Sequence, residues 1–279
     1  MAYDEPGINS KVIDKYNQRV AQVDSLVCVG LDSDFNHLPA RFRDDPTPQF
    51  SFNRWIIEQT HTYVSAYKPN IAFYEARGDQ GLRELKQTVE FLCENHPDIL
   101  TICDAKRGDI GATNAAYANA IFDWMGFDAI TLNPYLGGDA LQPFLDRADK
   151  GCIILCRTSN AGSGELQNLT VDGRPFWEIV AEKSRDRWNT NDNCMLVMGA
   201  TYPEEIRHVR TIVGDMPLLV PGIGAQGGNL EQTVRFGLDS NKRGLIINSS
   251  RGVIFAEDPV QSVRQLHEVV NSYRDAAYP

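Results

Sequence analysis

No apolar run in the 279-residue sequence approaches the roughly 18 residues of a membrane span. The opening MAYDEPGINSK also lacks the charged-then-apolar pattern of a secretory signal, so a cytoplasmic protein is expected. Positive charge is in deficit. A formal net charge of −10 argues against general affinity for nucleic acid or anionic membrane, and an anionic ligand would need a locally positive pocket. There is no CxxC pair: Cys28, Cys103, Cys152, Cys156 and Cys194 lie in or beside apolar β-rich runs and Cys93 in a helical pattern, which reads as reduced core thiols. The five histidines are scattered without HxxxH or HExxH spacing, so each reads as a surface or packing residue rather than a metal ligand. Low-complexity tracts, internal repeats and linker-like segments are absent as well.

What the chain does have is alternation. Short β-rich apolar runs fall at 25–30, 63–68, 99–103, 128–132, 152–156, 194–198, 217–220 and 244–248, eight in all. Between them lie helical patterns such as FNRWIIEQTH, GLRELKQTVEFLCEN, ATNAAYANAIFDWM and PEEIRHVRTIV, with PVQSVRQLHEVVNSY last and a further helix within KVIDKYNQRVAQ before the first strand. Strict alternation implies parallel pairing. Eight such units in a chain of this length suit a closed (β/α)8 TIM barrel, a single domain over 1–279 with an N-terminal helical extension; a doubly wound sheet is the alternative. The longest irregular piece, TSNAGSGELQNLTVDGRP, reads as a mobile lid or a plain surface loop.

In such a barrel the C-terminal strand ends build the site. Asp32 follows strand one, Lys68 ends strand two, Asp104 and Lys106 follow strand three and Ser159 follows strand five. Residues 221–226 follow strand seven and 249–251 follow strand eight, so charged and polar groups remote in sequence converge on one face. Asp104 and Lys106, two apart, point the same way in extended backbone. They could equally be a stabilising ion pair, and Asp109 a helix N-cap. GIGAQG at 222–227 matches GxGxxG, but it lies in the seventh unit with no acidic residue about 20 positions on at the next strand end, as ribose recognition needs. Followed by SSRG, it better fits a phosphate site made by the last two barrel loops, where backbone amides approach closely and Arg251 contributes a charge-assisted contact.

With these residues assembled, the chain resembles the orotidine 5′-phosphate decarboxylase family, particularly its bacterial type 2 branch. The resemblance rests on DAKRGDIGAT, VGLDSD, YKPNIAFYE, TLNPYLGGD, TSNAGSG, VPGIGAQGG and NSSRGV, which span nearly the whole chain. It implies that Lys68, Asp104 and Lys106 form a charged array over a pyrimidine, completed by Asp109 in the site of the other subunit of a homodimer. Asp32 would bind ribose hydroxyl with Thr113 from the neighbouring chain, Ser159 the pyrimidine, and Gln226 and Arg251 the phosphate. The implied reaction converts orotidine 5′-monophosphate to uridine 5′-monophosphate and carbon dioxide without metal or other cofactor, Lys106 protonating C6. Two alternatives stand beside it: a Mg²⁺-dependent keto-sugar-phosphate decarboxylase with the same D-x-K-x-x-D core, and a catalytically silent nucleotide-binding protein.

Overall fold

The apolar runs become strands because each is short, β-branched and interrupted by turn residues, and a strand covered on both faces needs no polar alternation. The computed structural model describes residues 11–223 and 229–276. Its barrel strands are β1 (Val27–Val29), β2 (Ala66–Tyr67), β3 (Leu100–Arg107), β4 (Ala129–Leu132), β5 (Gly151–Arg157), β6 (Cys194–Met198), β7 (Leu218–Val220) and β8 (Leu245–Ser249). Each pairs in parallel with the next, and β8 returns to β1 to close the barrel. All eight expected strands are present, in a TIM-type barrel rather than an open doubly wound sheet.

The helices start where local chemistry starts them. Proline opens the helices Pro48–Thr60, Pro203–Val213 and Pro259–Asp275, where its missing N–H forfeits no hydrogen bond. Asn229 caps Leu230–Gly237 by accepting from the Gln232 amide, and Asp258 caps the last helix by accepting from Gln261. Two long helical patterns change pitch within themselves: Gly111–Ala118 continues as π-helix through Asn119–Trp124, and Phe176–Lys183 through Ser184–Trp188. The piece read as irregular, 158–175, includes short regular elements. It contains the one-turn helix Gly164–Gln167 and a hairpin pairing Thr170–Val171 with Arg174–Pro175, whose turn residues Asp172 and Gly173 both take positive φ.

Helix α1 (Lys11–Val23) closes the N-terminal end of the barrel. The Tyr16 hydroxyl donates to the Leu245 carbonyl at the start of β8, Arg19 donates to the Val64 carbonyl ahead of β2 and pairs with Asp98 ahead of β3, and Lys15 pairs with Asp128 ahead of β4. Cavities of about 380 and 340 Å³ lie beside α1 at this end. Five cysteines are buried thiols, whereas Cys93 is exposed: its helical position faces outward, a correction to the expectation that all six sit in the core. Among the described residues no helix is long and apolar enough to cross a membrane.

Candidate active site

At the opposite end the strands present charge. Lys68, 3% exposed just beyond β2, donates from Nζ to Asp104 Oδ2 at 2.9 Å. Lys106 donates to Oδ1 of the same carboxylate at 2.5 Å, and the Thr131 hydroxyl at the end of β4 donates to Oδ1 at 3.0 Å. Burial alone would raise the Asp104 pKa, but the two ammonium groups outweigh it and hold the carboxyl well below the usual range. For Lys68 burial works downward and is overcome by Asp104, Asp32 and Cys28, so its ammonium is held above the ordinary lysine value. One anion flanked by two cations therefore persists where neither charge could be buried alone.

The route to this convergence differs from the expected extended strand. β3 runs on through the charges to Arg107, its register against β4 shifts between Cys103 and Arg107, and Lys106 sits in the left-handed region at φ 47°. The Lys106 side chain remains 49% accessible, so the pair is anchored in the barrel at Asp104 and open to the mouth at Lys106.

Asp32 joins the same electrostatic neighbourhood through its attraction to Lys68, and its buried Oδ1 has no hydrogen-bond partner among the described residues. An orphaned buried carboxylate oxygen is a ready acceptor for a ligand hydroxyl. Its segment is fixed from behind by Tyr74, which donates to the Leu31 carbonyl, and by Gln49, which donates to the Ser33 carbonyl. Ser159 is half-buried in the loop after β5, against Gly199 in the loop after β6; a Cβ on Gly199 would come within 2.8 Å of Ser159 N and Cα. Arg251 is exposed and opens the one-turn helix Arg251–Ile254 after β8. Gln226 lies outside the described residues.

Asp109 is not a helix N-cap: Ile110 holds that position without a side-chain cap, and among the described residues the Asp109 carboxylate accepts only the adjoining Ile110 amide. Thr113 is exposed on the first helical turn. No hydrogen bond or ion pair among the described residues of this chain joins either side chain to Lys68, Asp104 or Lys106.

Sequence reasoning missed two residues. Thr131 carries a hydroxyl inside the apolar run DAITL, and only the register shift reveals its use. Arg157 extends β5 beyond the run read as CIILC; its guanidinium lies 3.6 Å above the Tyr202 ring and donates to Ser163 and Gln167, folding the 158–175 loop back on the barrel. An arginine adjoining an apolar run was the available signal.

A family model described as Orotidine 5'-phosphate decarboxylase / HUMPS family matches residues 25–266. The chain belongs to this family. The orotidine 5'-phosphate decarboxylase of Ralstonia pickettii (strain 12J) is 47% identical over 251 residues, covering 90% of this chain and 92% of that one. That of Janthinobacterium sp. (strain Marseille) is 46% identical over 250 residues with the same coverage. Among solved structures, Leishmania donovani OMP decarboxylase superposes with a TM-score of 0.86 at 39% identity, covering 95% of this chain and 99% of that one. Leishmania donovani UMP synthase superposes with a TM-score of 0.87 at 41% identity, and there this chain spans 56% of the longer protein. Within the OMP decarboxylase / HUMPS family, the cluster at the C-terminal barrel mouth is the candidate active site.

Proposed function

We propose that the protein decarboxylates orotidine 5′-monophosphate to uridine 5′-monophosphate in pyrimidine biosynthesis. The observation that carries this reading is the Asp104 carboxylate clamped between two ammonium groups, one buried and one open to the barrel mouth, in a chain of this family. When the C6–carboxylate bond breaks, carbon dioxide departs and the bonding pair stays on C6, in an orbital the ring cannot delocalise. Fixed charge must stabilise that pair, and the accessible Lys106 ammonium does so and then gives C6 its proton. Asp104 orients Lys106 by accepting from its Nζ at 2.5 Å. Each tenfold in rate corresponds to about 1.4 kcal/mol, more than one salt bridge can supply many times over, so binding energy from the remote phosphate contributes by closing and drying the site.

In this reading Asp32 accepts from ribose hydroxyl, Ser159 meets the pyrimidine, and Gln226 with Arg251 holds the phosphate. Two chains form a homodimer in which Asp109 and Thr113 complete the partner's site. The deciding experiment follows the ultraviolet absorbance of orotidine 5′-monophosphate with purified, EDTA-treated protein and identifies the product by mass. Rapid metal-independent formation of uridine 5′-monophosphate is expected. Turnover that appears only on adding Mg²⁺, or nucleotide binding without turnover, would displace this assignment.

A further inference from the structure

β3 and β4 fall out of step at the charged cluster. Cys103 is level with Ile130 and Arg107 with Leu132, which leaves Asp104, Ala105 and Lys106 on β3 facing Thr131 alone on β4. Surplus residues in one strand lose their ladder partners, and a buried backbone N–H left that way is strongly unfavourable. Here the loss is made good by one side chain. The Ala105 and Lys106 amides both donate to Thr131 Oγ1, at 3.0 and 2.9 Å. A threonine hydroxyl accepts two hydrogen bonds and donates one. With both acceptor positions taken, its single hydrogen is directed to Asp104 Oδ1 at 3.0 Å. Thr131 is buried, so water does not compete for these positions.

The hydroxyl thus touches both halves of the ion pair. It holds the Asp104 carboxylate through its O–H and the Lys106 backbone through a lone pair, at the residue whose left-handed φ of 47° is unfavourable for any side chain beyond glycine. Strain of this kind persists only where its surroundings over-determine it. Lys68 grips the same carboxylate but does not hold the Lys106 backbone.

We propose that Thr131 is a positioning residue for the reaction: it locks the β3 bulge so that the Lys106 ammonium is presented at one fixed place beside Asp104. This rests on the reading of Lys106 as the group that protonates C6. Thr131 touches neither phosphate nor ribose in this scheme, so its loss acts on turnover and not on nucleotide affinity. The residue is specified by its hydroxyl; valine has the same shape but offers neither the acceptor nor the donor.

Thr131→Val, Thr131→Ala and Thr131→Ser test this against the unaltered protein, with kcat, KM, uridine 5′-monophosphate affinity and crystal structures as readouts. Misplacement of a reacting group by about 1 Å lowers rate by roughly a hundredfold. Thr131→Val is expected to lose kcat on that scale with KM and product affinity nearly unchanged, while Thr131→Ser retains most activity. If the valine variant does not fold, the alanine variant takes its place. Unaltered kcat in a folded variant lacking the hydroxyl overturns the proposal, as does a serine variant no better than valine. Should the unaltered protein fail to convert orotidine 5′-monophosphate, the functional reading falls, and geometry then decides the positioning claim. Lys106 displaced from Asp104 in the valine structure but not in the serine structure upholds it, and Lys106 in place in both removes it.

Discussion

Asp104 is the residue on which the cluster's ionisation turns, because three donors converge on a carboxylate that the barrel otherwise desolvates. Its folded pKa lies below the ordinary value of 3.8, so the stability it contributes is present above that value and is lost as pH falls through the depressed one. Lys68 behaves in the opposite sense: its folded pKa lies above the ordinary 10.5, so its share is present below that value and is lost as pH rises through the elevated one. Between roughly pH 5 and 9 the pair is fully formed. Asp104→Asn leaves Lys68 buried without its anion, a change worth about 3–5 kcal/mol. Thermal melts should show that deficit shrinking below about pH 4, where Asp104 takes up its proton in the unfolded chain while the folded one still holds the pair, and disappearing as pH falls through the depressed folded value. A deficit that persisted undiminished in acid would mean that Asp104 does not carry the linkage. The sequence disclosed this group as a charge cluster and left open whether it was only an ion pair. Spacing alone could not show that one carboxylate serves both lysines, because that depends on which strand lies beside β3.

Elements were legible where burial sets a pattern and illegible where register or backbone turns do. All eight apolar runs are barrel strands, since a strand covered on both faces must be continuously apolar. Strand three was read as ending at Cys103 because polar residues follow, yet β3 continues to Arg107; Lys68 neutralises Asp104 there and so permits the strand to carry a charge inward. The bulge that follows, the Thr131 contacts and the hairpin in 158–175 depend on φ and on neighbours distant in sequence, which hydrophobic patterning does not encode. The loops after β5 and β6 offer a sharp case. Gly199 donates its amide to the Arg157 carbonyl at 2.7 Å and has backbone, not a flexible side chain, where its Cβ would be. Gly199→Ala should therefore push the Ser159 segment outward, lowering stability by about 1–3 kcal/mol and raising KM for the nucleotide. Unchanged melting temperature and KM would show that the two loops separate freely and that their contact does not position Ser159.

At the scale of the molecule, α1 seals one end of the barrel and the charged strand ends occupy the other, and the rim of that second end is unusually apolar. Ile110, Tyr135 and Leu136 are 63%, 74% and 44% exposed. They belong to loops that meet where Gly108 lies against Asn133, beside Asp109 in sequence. A second copy of the chain laid across this rim would cover these side chains and bring Asp109, which pairs with neither lysine of its own chain, toward the partner's Lys106. Sharing of this kind has a numerical signature. In a heterodimer of Lys106→Ala and Asp109→Ala chains, one site receives both substitutions and the other receives neither. Random remixing of the two inactive homodimers should therefore restore about a quarter of the unaltered specific activity, since half the dimers are mixed and each holds one intact site. If Asp109 instead served its own chain's Lys106, every site in every dimer would carry one substitution, and verified heterodimers would stay as inactive as their parents.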